Sequence, residues 1–164
     1  MQIRPEAPGE EAVIRALTTL AFESAAHSDG TEAAIVDGLR DGGALSVSLV
    51  AVQAEAIVGH VAFSPVSIEG AGDGWYGLGP ISVRPDRQGR GVGSALVRAG
   101  LERLGELGAA GCVVLGEPGY YGRFGFEHDP ALRYADVPAP YFQRLVLRGP
   151  AARGEVHYHP AFGG

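Results

Sequence analysis

Residues 81–115 constrain the fold more tightly than any other part of the chain. "ISVRPDRQGRGVGSALVRAGLERLGELG" passes from a β-branched segment through three alternating glycines, Gly89, Gly91 and Gly93, into a helical pattern, and "CVVL" follows. Val97, Leu101 and Leu104 fall on one stripe, flanked by Leu96 and Leu107, while Arg98 and Glu102 form an i, i+4 pair on the other side. Gly108 and Gly111 end the helix, and the fully apolar run around Cys112 reads as a central strand. A strand, a bare junction carrying Arg84, Arg87 and Arg90, a helix and a buried strand must therefore pack together.

The flanking sequence supplies the other elements. A short strand over residues 2–4 ends at Pro5, and "PGEEAVIRALTTLAF" carries Val13, Leu17 and Leu20, with Ile14 alongside, on one helical face. "TEAAIVDGLR" predicts a second helix ending near Asp41-Gly42-Gly43. Segments 44–52, 56–68 and 75–83 are rich in β-branched and aromatic residues. The turn Gln53-Ala54-Glu55 and the glycine-rich loop 69–74 separate them, which predicts an antiparallel meander. "EPGYYGRFGF" reads as a turn with at most one short helix; "RLVL" and "EVHYH" are weaker strands beyond it. No repeat or linker divides the chain, so one domain over residues 1–164 is expected.

Composition narrows the partners. The chain is acidic, with net charge −6, and contains no lysine; nucleic acid, which needs a broad basic face, is not expected as a partner. No uninterrupted apolar segment approaches the roughly 18 residues that span a membrane, and the N-terminus lacks the apolar run of a secretory signal. With a single cysteine, Cys112, in an apolar run, a disulfide framework is excluded and a buried, inert thiol is expected. These features together predict a cytoplasmic protein.

At the junction, a glycine-rich turn into a helix exposes successive backbone N–H groups, and the helix dipole makes them an anion site. A Walker-type phosphate loop requires a Gly-Lys-Ser/Thr ending that a lysine-free chain cannot supply. The dinucleotide fingerprint fails because the glycines are spaced by two, Ser94 stands where its third glycine belongs, and the upstream strands are consecutive and antiparallel.

The same residues resemble the GNAT superfamily of N-acetyltransferases. That family's core motif, Gln/Arg-x-x-Gly-x-Gly/Ala after a strand ending Val-x-Pro, is similar to Val83, Pro85, Gln88, Gly91 and Gly93 here. A second signature, a tyrosine ahead of a Gly-Phe pair, resembles Tyr121, Gly125 and Phe126. "LGEPGYYGRFGFE" and "VHYHPAF" look like the YhbS-like bacterial branch. The resemblance implies an α+β, single-domain GNAT-like fold with a mostly antiparallel mixed twisted sheet and helices on both faces. It implies acetyl-CoA as co-substrate and direct acetyl transfer through a tetrahedral intermediate to a primary amine. In that scheme the backbone of Gln88, Gly89, Arg90, Gly91, Val92, Gly93 and Ser94 holds the pyrophosphate. Ile81, Ser82 and Val83 pair with the pantetheine arm, one amide there polarising the thioester, and Tyr121 is the general acid for the sulfur. Tyr120 is expected in the core.

Several polar residues stay without a role. Glu117, Glu69 and His60 are the carboxylates and imidazole near strands, and none is assigned as general base; His60 reads as a satisfied interior histidine. His27, Ser28 and Asp29 form a helix-linking loop that, by resemblance, lines the acceptor pocket, with His27 a substrate contact. His157 and His159 alternate on a strand without a third ligand at recognisable spacing, so no metal is expected. The acceptor, a small molecule or a peptide amine, is not readable, nor is acyl-chain length. A homodimer through the apolar C-terminal strand is an expectation. The reading from another class is a non-catalytic acyl-CoA-binding sensor on the same fold.

Overall fold

Alternate residues of the strand Val47–Gln53 face opposite helical layers, and that alternation organises the fold. Val47, Leu49 and Ala51 join a core with Val92, Leu96, Val97 and Leu104 of the junction helix, whereas Val50 packs with Ile14 and Val36 of the two N-terminal helices. The computed structural model describes residues 1–23, 25 and 28–163. In chain order the elements are β1 (Gln2–Pro5), α1 (Glu11–Glu23), α2 (Glu32–Asp41), β2 (Val47–Gln53), β3 (Ala56–Pro65), β4 (Ser67–Ile68), β5 (Trp75–Val83), α3 (Val92–Glu106), β6 (Gly111–Leu115), α4 (Pro118–Tyr121), β7 (Leu132–Arg133), β8 (Phe142–Val146) and β9 (Gly154–His157).

The main sheet has the order β1-β2-β3-β5-β6-β8. It is antiparallel except where β6 joins parallel to β5 after the α3 crossover. Ala54 and Glu55 both carry positive φ, 49° and 65°, the backbone of a tight hairpin turn between β2 and β3. A smaller sheet, β4-β9-β7, covers the lower end of the main one: Ile68, Leu132 and Val156 pack on Trp75, Val113 and Phe142. The α+β fold with helices on both faces is the one expected.

Two features shape the centre. Parallel pairing of β5 with β6 covers only Trp75 to Gly77 against Gly111 to Val113, so from Leu78 onward the two strands part. Between Val61↔Ile81 and Phe63↔Leu78, β5 carries one residue more than β3, a bulge at Gly79-Pro80. The bulge re-aims the upper half of β5 into the gap.

Some expectations are corrected. On α1 the buried residues are Ile14, Leu17 and Thr18, while Val13 and Leu20 are exposed. A helix lying on a sheet buries a stripe at i, i+3 and i+4, and here that stripe starts at Ile14. On α3 the stripe centres on Leu96, Val97, Gly100 and Leu104, leaving Leu107 exposed. Arg98 stacks over the Phe124 ring at 4.9 Å, and among the described residues no ion pair joins it to Glu102. The segment 56–68 breaks at Pro65, after which the chain changes sheets. The C-terminal strand β9 is flanked by β4 and β7, so it offers no free edge for a second copy.

Candidate active site at the glycine junction

Beyond Val83 the chain turns through Pro85–Arg87 and enters α3 at Gly91. Gly89 and Gly91 adopt the left-handed φ values of +75° and +86°, which only glycine takes without strain. Apart from its chain neighbours, no atom of the described residues lies within 4 Å of where a Cβ would project at either position. Their bareness thus serves the backbone turn and whatever approaches it, not internal packing. No side chain caps α3, so the first-turn amides of Val92, Gly93 and Ser94 keep their donors free of helical partners. The Gln88 side-chain Nε2 donates to the Val83 carbonyl at 3.0 Å and braces the turn.

A recess of about 350 Å³ lies over these amides. Arg87, Gln88, Gly89 and Gly91 to Ser94 form one wall, and Tyr120 with Arg123 forms the other. Arg123 stacks on the Tyr120 ring at 4.5 Å. Arg90 is exposed and stands outside the lining. The concentrated positive charge of the junction is partly compensated: Arg84 holds Asp86 at 2.7 Å and Arg87 approaches it at 3.7 Å. Hydrogen bonding from Arg84 keeps the Asp86 carboxyl down at about 2. Arg123 is the cation that sequence reasoning missed, and its partner Tyr120 was expected in the core. Their i, i+3 spacing along "YYGR" was the available signal.

Ile81, Ser82 and Val83 pair with Val61, His60 and Gly59 of β3. Their other edge lies beyond the end of the β5–β6 ladder, which puts one unpaired strand edge beside the recess. Tyr121 is buried against Gly116, Tyr120 and Phe126. Burial pushes its hydroxyl up to about 12, so it keeps its proton at neutral pH. Consecutive residues of α4 thus divide the work: Tyr120 faces the recess and Tyr121 faces the core at the end of β6.

The remaining candidates do not line the recess. Glu69 and Glu117 are exposed. His60 is fully buried, and desolvation holds its imidazole down to about 4. Cys112 is fully buried, which raises its thiol out of reach of thiolate chemistry. His159 Nδ1 accepts from the Ala161 amide at 3.0 Å, capping a short C-terminal turn, while His157 ends β9 at the surface. His27 lies outside the described residues. Beside the loop that joins α1 to α2, a second recess of about 350 Å³ is lined by Phe22, Glu23, Ser28 and Glu32 among others.

The family described as "Acetyltransferase (GNAT) domain" matches residues 44–128. The Escherichia coli K12 protein "Uncharacterized N-acetyltransferase YhbS" is 39% identical over 171 residues, covering 99% of this chain and 98% of its own. Among solved structures, a GNAT family acetyltransferase from Brucella melitensis in complex with acetyl-CoA is 48% identical. It covers 98% of this chain and 97% of its own, with a TM-score of 0.88. The Escherichia coli YhbS structure in complex with CoA is 37% identical, covers 99% and 92%, and superposes with a TM-score of 0.90.

Proposed function

The chain belongs to the GNAT acetyltransferase family, and on that premise we propose that residues 1–164 act as one domain that moves the acetyl group of acetyl-CoA directly onto a primary amine. It is an acyltransferase, and acetyl-CoA is its co-substrate. One observation carries the residue-level reading: an uncapped helix N-terminus behind two left-handed glycines opens beside an unpaired strand edge. The first suits a pyrophosphate, and the second suits an extended arm added like a strand.

Amides from Gln88 to Ser94 bind the pyrophosphate, with Arg123 and Arg87 adding positive charge. The backbone of Ile81, Ser82 and Val83 aligns the pantetheine arm, and an amide there polarises the thioester carbonyl as charge develops on its oxygen. The amine attacks from the α1/α2 side, a tetrahedral intermediate forms, and Tyr121 donates its proton to the departing sulfur. The recess carrying Glu23 and Glu32 beside Phe22 supports an acceptor with a second positive charge or an apolar stem.

Replacing Tyr121 by Phe tests the scheme. Coenzyme A affinity stays near wild type, while thiol release with an amine acceptor falls by roughly 10²-fold or more. Unchanged turnover removes Tyr121 from the mechanism.

A further inference from the structure

A line of side chains runs inward from α2 to the middle of the main sheet and ends at two unpartnered atoms. Arg40 holds Glu6 at 3.0 Å, the Ser48 hydroxyl donates to the Glu6 carboxylate, and His60 Nε2 lies 2.8 Å from Ser48 Oγ. A carboxylate only accepts, and a hydroxyl has one proton to give. Ser48 therefore commits its proton to Glu6 and accepts from His60. That ordering fixes the imidazole as the Nε2–H tautomer and leaves a bare lone pair on Nδ1.

His60 Nδ1 is buried and has no hydrogen-bond partner among the described residues, and the same is true of Ser82 Oγ. The two residues are register partners on β3 and β5, so their side chains sit side by side on one face of the sheet. Gly59 and Val61, on either side of His60, face α3, which places His60 and Ser82 on the α1/α2 face. Ser82 also belongs to the strand edge that borders the proposed transfer site. Adjacent orphaned polar groups in a core are costly, and here one is a proton acceptor while the other can both give and accept.

We propose that Ser82, His60, Ser48 and Glu6 form a proton relay that drains the acceptor amine during acetyl transfer. The proposal rests on the acetyl-transfer reading above. Before the C–N bond forms, an N–H bond of the bound ammonium breaks toward Ser82 Oγ and leaves the neutral amine that attacks. No hydrogen bond joins Ser82 Oγ to His60 Nδ1 among the described residues, and rotation of the Ser82 hydroxyl about its Cα–Cβ bond delivers its proton there. The Nε2–H bond then breaks toward Ser48 Oγ, and the Ser48 proton passes to a Glu6 oxygen. One proton moves from nitrogen to carboxylate, and no electrons change hands. The imidazole is neutral before and after, so the burial that disfavours its cation does not oppose the transfer. Glu6, with its side chain 17% exposed, passes the proton to solvent, and the imidazole regains its first tautomer by exchange through the cleft after product leaves. Among the described residues, the charged groups facing the relay are Glu6 and Arg40. From α1 the buried polar residue is neutral Thr18, whose hydroxyl donates to the Ile14 carbonyl. His60, Ser48 and Glu6 act through Ser82 and are positioning residues.

Two readouts test the relay. Nitrogen NMR of labelled histidines, in protein saturated with coenzyme A, reads the tautomer, and the His60 signals are assigned by their loss in His60→Gln. The expected form at neutral pH is Nε2–H; an Nδ1–H tautomer or an imidazolium overturns the proposal. The second readout is thiol release from acetyl-CoA with two probes, propylamine, which is protonated at neutral pH, and hydroxylamine, which is largely neutral. Ser48→Ala, a mild change that leaves His60 in place, and His60→Gln slow the propylamine reaction by roughly 10²- to 10⁴-fold, while the hydroxylamine rate stays near wild type. Equal losses on both probes, as from a structural defect, or no loss on either, overturn the relay. A wild-type protein that fails to bind acetyl-CoA overturns the acetyl-transfer reading instead.

Discussion

The Tyr120 hydroxyl lies 3.5 Å from the Ser94 hydroxyl, and this contact seats α4 on the first turn of α3. One recess thereby receives amides from α3 and a cation, Arg123, from the segment after α4. Arg123→Ala is expected to weaken coenzyme A binding by up to about 1 kcal/mol, roughly fivefold in Kd, because an exposed charge contributes little more. Isothermal titration measures it, and the loss should shrink as salt is raised.

Gly91→Ala separates backbone strain from ligand approach. At φ +86° a Cβ costs about 1–2 kcal/mol, and beyond the chain neighbours no atom of the described residues stands within 4 Å of it to add a clash. Urea unfolding should show that modest loss. Coenzyme A titration should show a larger one, because Gly91 lines the recess proposed to hold the pyrophosphate.

Gly100→Ala makes the opposite test. A Cβ there runs into the Phe63 ring across the α3–sheet interface, and overpacking of a filled core costs about 1–3 kcal/mol. The melting temperature should fall, while coenzyme A affinity of the folded protein should hold.

The reach of the sequence can be judged on particular residues. The junction was legible because Gly89, Gly91, Gln88 and Val83 act through backbone geometry, and local sequence encodes backbone geometry directly. The α3 helix and the antiparallel strands were legible from periodicity, but the centre of the α3 stripe and the break at Pro65 were not. The rotation of α1 was not: Val13 and Ile14 are equally apolar, and only docking against β3 and β5 decides which is buried. The division between Tyr120 and Tyr121 depended on where α4 sits relative to Ser94, a contact between distant segments. The Glu6–Ser48–His60 line joins three separate stretches of chain, and no local pattern announces it.

Tyr121 and Glu10 are two of the groups that make the stability of the fold depend on pH. Burial raises the Tyr121 hydroxyl to about 12, above its value of roughly 10 in an unfolded chain. Its stabilising contribution is therefore complete below pH 10 or so and is lost as pH rises through about 12. Glu10, hydrogen-bonded by Arg4 and by the Ala7 amide, is held down at about 2. Its contribution is present above the ordinary carboxylate range and is lost as pH falls through about 2. Tyr121→Phe should flatten the alkaline limb of stability against pH, and Glu10→Gln the acid limb, each measured by urea unfolding across the range.

Thermal unfolding with acetyl-CoA, coenzyme A or NAD tests the central claim most directly. At about 100 times its dissociation constant a ligand stabilises by roughly 2.7 kcal/mol. Clear upward shifts with acetyl-CoA and coenzyme A, and none with NAD, are the predicted result. A melting curve unmoved by acetyl-CoA would contradict the account, because a glycine junction that does not hold the co-substrate cannot present its acetyl group to an amine.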